Sequence, residues 1–298
     1  ILLLTCVYEK HVGKGAKHCT AFAAAGTATA TGELICGQNN DEAVEPWVGG
    51  AMDVVVHHID ESGLEALLYT HPGIPAYMGM NSAGLCVTWM YIDNGERGPG
   101  VPTCVLIREL LRHATLDDAV AYLDATPRAI PNDFLLAHGT DGICNVEFSP
   151  RQFRQARDDL VLCHANHILD PSMAVGDVSR GDKKGTTRSR LDRMSRLVEE
   201  HRGRIDVAVG LQMLSDHGNA LWSICCHPRE ETDHPSKTLA SMVFQPATGT
   251  MHIAFGNGCE TPAKLFTFAT RTSVSVVETN SRPREVDEEG ARLWKKSM

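Results

Sequence analysis

The order of elements along the chain predicts an α+β fold with mostly antiparallel sheets, and three observations predict it. β-rich runs and helical runs follow one another in blocks (strands, helices, strands, helices, strands) instead of alternating singly as in a parallel βαβ sheet. Hairpin-type turns, Gly139-Thr140-Asp141-Gly142 and Ala247-Thr248-Gly249, join neighbouring β-rich runs. Neither G-x-G-x-x-G nor G-x-x-x-x-G-K-[ST] occurs, so the common nucleotide-binding layouts have no anchor. With 298 residues, no internal repeat and no low-complexity linker, one domain is expected.

Thr20 to Ala30 is small and Thr-rich, Gly32-Glu33 is a turn, and Leu34 to Gln38 is a second strand. Met52 to His57, Leu64 to Thr70 and Gly84 to Tyr91 are β-rich runs separated by Gly, Asn or Pro. Val101 to His113 has apolar residues at 101, 105, 106, 107, 110 and 111, a helical spacing. Thr115 to Thr126 opens on Thr115 with Asp118 three residues later, a capping-box arrangement. Strand character returns from Asp133 to Phe148 and from Leu160 to Ala165, then helix from Thr186 to Glu200, with apolar residues at 191, 194, 197 and 198, and from Asp206 to Leu214. Thr238 to Gln245 and Thr250 to Phe255 close the series as strands.

Composition excludes several function classes. The formal net charge is −9, so no basic face for nucleic acid is expected, and an anionic membrane surface would repel the chain. The apolar run Ile1 to Leu4 is far too short to span a bilayer. The ten cysteines include no C-x-x-C pair and lie mostly within apolar stretches such as Leu85-Cys86-Val87, the pattern of reduced thiols in a cytoplasmic or other reducing compartment. The chain starts at Ile1 and not at Met, so a targeting segment upstream is compatible with it.

Among the 14 histidines, His57-His58, His164-Ala165-Asn166-His167 and Cys225-Cys226-His227 draw attention as metal ligands. None is a helix-borne H-E-x-x-H, and a spacing of three after a β-run sends side chains to opposite faces. Ordinary hydrogen-bonded histidines, no metal and no cofactor are the expectation. No G-x-S-x-G serine elbow is present.

The informative segments come in order. His18-Cys19-Thr20 opens the first strand, and Gly37-Gln38-Asn39-Asn40-Asp41 closes its neighbour, placing a thiol and a carboxylate side by side. Gly79-Met80-Asn81-Ser82-Ala83-Gly84-Leu85 carries a turn asparagine, and His164-Ala165-Asn166-His167 ends a strand. Arg190-Leu191-Asp192-Arg193 lies near a helix start, and Asp216-His217 leads on to Ser223-Ile224-Cys225. This ordered set, over roughly residues 15 to 260, resembles the cysteine N-terminal-nucleophile hydrolases of the isopenicillin N (acyl-CoA:6-aminopenicillanic acid) acyltransferase-like family, with bile-salt hydrolases and penicillin V acylases as more distant relatives.

The resemblance implies a four-layer αββα sandwich and a precursor that cuts itself between His18 and Cys19. Residues 1–18 are then the end of a propeptide or alpha chain, and 19–298 the catalytic beta chain, with the two fragments staying associated. It places the nucleophile on Cys19, the supporting carboxylate on Asp41, oxyanion-hole amides on Asn166 and Asn81, and a catalytic arginine on Arg190. The chain departs from the family in having His18 where a glycine often precedes the nucleophile, and Cys226 where an arginine often follows Ser-Ile-Cys. The expected partner is a small-molecule amide, with a homo-oligomer also compatible, and no nucleic acid or membrane.

Read as chemistry, a cysteine at a new N-terminus brings its own base. Its α-amine has a reference pKa of about 7.7–8.0, so near pH 7 a fraction can accept the thiol proton. The thiolate attacks an amide carbonyl, fixed donors hold the oxyanion, and water or a second amine resolves the thioester. Amide hydrolysis is the first expectation and acyl transfer the second; a zinc hydrolase and a non-catalytic binding protein are the competing classes. Cys19 is expected to react with iodoacetamide faster than the other thiols.

Overall fold

The computed structural model describes residues 18–43, 52–177, 179, 186–219, 223–228 and 236–268. The first strand, β1 (His18–Ala24), is built from Ala and Thr around Phe22 and is buried along almost its whole length. Small side chains let it accept neighbours on both faces and both edges. It pairs antiparallel with β2 (Ile35–Ala43) on one side and with β10 (Val161–His164) on the other. β2 then pairs with β11 (Ser236–Gln245), followed by β12 (Thr250–Phe255) and β13 (Lys264–Thr267), giving the sheet order β10-β1-β2-β11-β12-β13.

The second sheet is a meander of seven strands in chain order: β3 (Val54–Ile59), β4 (Glu65–Thr70), β5 (Met78–Asn81), β6 (Leu85–Met90), β7 (Asn132–His138), β8 (Gly142–Phe148) and β9 (Phe153–Asp158). Its central strands β5 to β7 are buried throughout, whereas the edge strands β3 and β9 are largely exposed. Burial of successive residues means that both faces are covered, because neighbouring side chains in a strand point to opposite sides. One face meets the first sheet and the other meets α1 (Thr103–Leu110) and α2 (Leu116–Ala125), which bury Leu106, Ile107, Leu110, Leu116 and Leu123 in the same core.

α3 (Thr186–Glu200) and α4 (Val207–Leu214) cover the outer face of the first sheet, where Met194, Leu197, Val198, Met213 and Leu214 pack on Phe22, Ile35 and Val243. The layers are therefore helix, sheet, sheet, helix, as the resemblance implies. No helix of the described residues is long and apolar enough to cross a membrane.

Local chemistry explains the boundaries. Thr115 accepts a hydrogen bond from the Asp118 N–H at 3.1 Å and donates to the Asp118 carboxylate at 2.7 Å, so the expected cap forms. Asp206 caps α4 through the Val209 N–H at 2.8 Å. The run expected as one strand from Thr20 to Ala30 ends at Ala24, because Gly26 turns the chain at φ +54° into a 3-10 turn. β5, β9 and β13 escape the sequence reading: β5 and β13 have four residues each, and β9 (FRQARD) is a charged edge strand with almost no apolar alternation.

At the middle of β2, a Cβ on Gly37 would sit 2.6 Å from the Met242 carbonyl oxygen of β11 and 3.0 Å from the Phe22 ring. Gly37→Ala is expected to force these strands apart and lower stability by about 1–3 kcal/mol, against the usual preference of strands for alanine over glycine. Urea unfolding measures it, and an unchanged midpoint would contradict this packing.

Candidate active site

The register of β1 and β2 decides what lies beside what. His18 is opposite Asp41, Cys19 opposite Asn40, and Thr20 opposite Asn39. Residues 19, 21 and 23 point into the core between the sheets, while Phe22 and Ala24 point to the helical layer. Cys19 and Asp41 are thus one residue out of step and lie on opposite faces of the sheet. This corrects the expectation of a thiol and carboxylate side by side: what Asp41 adjoins is His18 and the main chain leading into Cys19. The alternation of side chains along a strand is the physical reason.

Asn166, just after β10, meets that main chain. Its Oδ1 accepts a hydrogen bond from the Cys19 N–H at 2.6 Å and another from Arg190 Nη2 at 2.9 Å. Its Nδ2 donates to the Tyr91 carbonyl at 3.0 Å, and its own N–H is held by Thr187 Oγ1 at 2.6 Å. The acceptor end of the amide therefore faces Cys19, where the oxyanion expectation had called for the donor end. One Nδ2 hydrogen is used on Tyr91, and the other has no partner among the described residues.

Arg190 is only 2% exposed. It donates to the Cys19 carbonyl, to Thr20 Oγ1 at 2.8 Å and to Asn166 Oδ1, and its Nη2 lies 3.5 Å from His18 Nδ1. It occupies the buried stripe of α3 with Met194, Leu197 and Val198, at spacings of four, seven and eight residues. Leu191, which the apolar count placed there, is only half-buried. Arg193 instead forms a two-pronged pair with Asp216, at 2.9 and 2.7 Å.

Asp41 is fully buried. Thr238 of β11 donates to its Oδ1 at 2.6 Å, and its Oδ2 has no hydrogen-bond partner among the described residues. Burial pushes the Asp41 pKa up to about 7, against the lowering by the Arg190 charge and the Thr238 bond.

Asn81 is not brought to this cluster. Its Nδ2 donates to the Leu111 and His113 carbonyls at 3.1 and 2.7 Å, and its Oδ1 accepts from the Ala83 and Leu85 N–H groups at 3.1 and 2.9 Å. Both Nδ2 hydrogens are committed, so its side-chain amide has no donor to offer an oxyanion. It pins the β5–β6 turn to the end of α1, which corrects its assignment.

Beneath Asn166, the His164 ring spans the two sheets. Its Nε2 is 2.9 Å from Glu147 of β8, and its Nδ1 is 3.3 Å from Asp133 of β7 and 2.7 Å from the Ala165 carbonyl. Burial opposes a charge on this ring, but the two carboxylates and the carbonyl raise its pKa overall. Burial likewise pushes Asp133 up to about 8. Burial and the neighbouring His164 and Arg188 charges push His167 down to about 4, so it is neutral near pH 7.

Thr187, Thr238 and the Tyr91 carbonyl were not singled out from the sequence, and Thr20 only as part of the Cys19 segment. Threonines carry no motif signal, and only strand and helix pairing brings them to the cluster. Cys19 is 3% exposed in the uncut chain, and Cys259 is the exposed thiol among the described residues.

Two antiparallel sheets between helical layers, with a cysteine at the start of a central strand, are the architecture of the N-terminal-nucleophile hydrolases. The fold is shared with penicillin V acylase from Agrobacterium tumefaciens (TM-score 0.53, 14% identity, covering 80% of this chain and 83% of that one). It is shared also with conjugated bile acid hydrolase from Clostridium perfringens, of which one variant structure gives a TM-score of 0.56 at 12% identity over 87% of this chain and 100% of that one. A second variant structure of the same hydrolase gives 0.55 at 13% identity over 87% and 99%. Residues 28–260, well over half of the chain, match the family model described as acyl-coenzyme A:6-aminopenicillanic acid acyl-transferase, and the chain belongs to that family. No curated protein matches it significantly.

The Asp41 pKa sets a pH dependence. It is about 7 folded against 3.8 as the ordinary value, so this group takes up a proton on folding between these limits and its contribution to stability falls as pH rises from about 4 to about 7. In a Cys19→Ala chain, Asp41→Asn is expected to flatten that slope and to gain on the order of 3 kcal/mol near pH 7 relative to its parent. Urea midpoints at about pH 4.5 and pH 7 measure it; parallel curves for the two chains would contradict the assignment.

Proposed function

We propose that the protein is a self-processing cysteine amidohydrolase that cleaves the linear amide of a small N-acyl compound through a thioester on Cys19. The observation that carries this reading is the contact of the Cys19 N–H with Asn166 Oδ1, in a strand whose neighbour holds a buried Asp41 with one unpartnered oxygen. An acceptor at the amide nitrogen and a half-satisfied buried carboxylate nearby suit an ammonium group better than a peptide N–H.

Processing begins with attack of the Cys19 thiol on the His18 carbonyl carbon. The His18–Cys19 C–N bond breaks as the C–S bond forms, and the nitrogen takes the thiol proton. Water then cleaves the ester, leaving a carboxylate on His18 and a thiol and amine on Cys19. Residues 1–18 and 19–298 are the resulting pieces, and in this reading they stay associated.

In turnover the amine accepts the thiol proton, and the thiolate attacks the substrate carbonyl. The remaining Nδ2 hydrogen of Asn166 is the donor suited to the oxyanion. Asn166 Oδ1 and Asp41 stabilise the ammonium form, and Arg190 acts as a positioning residue that fixes the Cys19 carbonyl and the Asn166 amide together. The ammonium passes its proton to the leaving amine as the C–N bond breaks, and water resolves the thioester.

Acyl transfer is the second reading, favoured by the family to which the chain belongs. Its basic stretch from Arg180 to Arg193 is the feature suited to an anionic donor such as a CoA thioester, although residues 180–185 lie outside the described residues.

Mass spectrometry of active protein is expected to find a chain starting at Cys19, while Cys19→Ala stays intact; full activity from a chain uncut at 18–19 would sink the proposal. Partitioning separates hydrolysis from transfer. Once Cys19 is acylated by an N-acyl amino acid or a β-lactam amide, acid is expected as the main product as candidate amines are added. Dominant new amide at about millimolar amine, or far faster acylation by an acyl-CoA, would assign transfer instead.

A further inference from the structure

Four thiol and imidazole groups from three parts of the chain converge on one point away from Cys19. His217 follows α4, Cys225 and His227 lie in the segment before β11, and Cys259 lies in the turn after β12. His227 Nε2 is 3.0 Å from His217 Nε2, 3.7 Å from Cys225 Sγ and 3.3 Å from Cys259 Sγ, and the two sulfurs are 3.6 Å apart. All four ligand atoms lie within 4.8 Å of one another. One imidazole nitrogen has a single lone pair or a single hydrogen, so it cannot satisfy three such neighbours by hydrogen bonding. A cation at their centre satisfies all of them.

The dimensions select the cation. Zinc bonds of about 2.3 Å to sulfur and about 2.0–2.1 Å to nitrogen put tetrahedral neighbours roughly 3.3–3.8 Å apart. The four separations given, 3.0 to 3.7 Å, run from just below that range to within it. Supporting groups are also present: Asn257 Nδ2 donates to Cys225 Sγ at 3.3 Å, and Glu260 lies 3.6 Å from the Nδ1 of His227. Cys259 is held there because Gly258 runs close to β11 and α4, where a Cβ would meet Ser215 Oγ at 2.8 Å and Ser241 Oγ at 3.1 Å.

We propose that His217, Cys225, His227 and Cys259 form a structural zinc site. Four protein ligands leave no open position for substrate or water, so the role is to fasten chain segments. Cys226, between two ligands, takes a hydrogen bond from the Thr238 N–H on its carbonyl and gives its own N–H to Thr238 Oγ1, both at 2.9 Å. Thr238 Oγ1 in turn donates to Asp41. The metal thus braces the strand that holds the buried carboxylate, and it does so whether or not Cys19 is a nucleophile.

The full chain, purified without chelator from zinc-supplemented cells, is expected to hold one zinc per chain by elemental analysis. Cobalt exchanged into the wild-type protein should show the intense visible bands of a tetrahedral site and sulfur-to-cobalt charge transfer, a readout that needs no variant. The Cys225→Ser and Cys259→Ser chains should each lose stoichiometric zinc and the charge-transfer intensity of one thiolate. Far less than one zinc per chain, an octahedral cobalt spectrum, unchanged zinc in both variants, or a Cys225–Cys259 disulfide in the purified protein would each overturn the proposal.

Discussion

A buried guanidinium with fixed partners is the constraint around which this site is arranged. Removing an ion from water costs several kcal/mol unless its hydrogen bonds are replaced, so the Arg190 charge holds in place whatever it touches. It touches the Cys19 carbonyl, Thr20 and Asn166, which belong to β1 and to the turn after β10. Asn166 then reaches back to the Cys19 N–H and across to Tyr91, at the end of β6 in the other sheet. Helix, both sheets and the first residues of β1 are thereby fixed relative to one another by a single side chain and its amide partner.

The same logic runs through the rest of the interior. Gln38 of β2 satisfies both the N–H and the carbonyl of Trp89 of β6, so one side chain stitches the two sheets together. His164 does so again between β10 and the carboxylates of β7 and β8. Asn39 donates to the Leu214 and Ile224 carbonyls, tying the first sheet to its helical layer. Polar groups buried between apolar layers are expensive to leave unmet, and so they specify how the layers align more sharply than apolar contacts do. The proposed zinc site extends this pattern to the ends of β11 and β12, where it would fasten segments without regular structure.

Asp41 is one of several buried groups this pattern leaves partly unmet, with Asn39, Asn40 and Asp133 among the others. It is as buried as its neighbours, yet one of its oxygens has no partner among the described residues and its carboxyl is half protonated near pH 7. What sets Asp41 apart is its place opposite His18, beside the main chain leading into Cys19, where an unmet buried oxygen suits a different covalent state of the chain. In the proposed function that state is the new amino terminus of Cys19.

The sequence by itself determined the fold class, both helical pairs and most strands, since hydrophobic period and capping chemistry are local: Thr115 and Asp206 cap their helices as their side chains allow, and the span of α3 is legible from its apolar spacing. It also put Cys19, Asp41, Asn166 and Arg190 in order along the chain. Only the tertiary structure decided how they face one another. A register shift of one residue sends a side chain to the opposite face, and nothing local in Cys19 or Asp41 fixes the register of β1 against β2. Asn81, read alone, fits an oxyanion donor as well as a turn; the carbonyls of Leu111 and His113, brought in from the end of α1, decide for the turn. The histidine and cysteine cluster was hidden for the same reason. Cys225 and His227 are near neighbours, but His217 and Cys259 are eight and 32 residues from the nearer of the two, and only the folding of three segments onto the end of β11 brings their ligand atoms within a few ångströms.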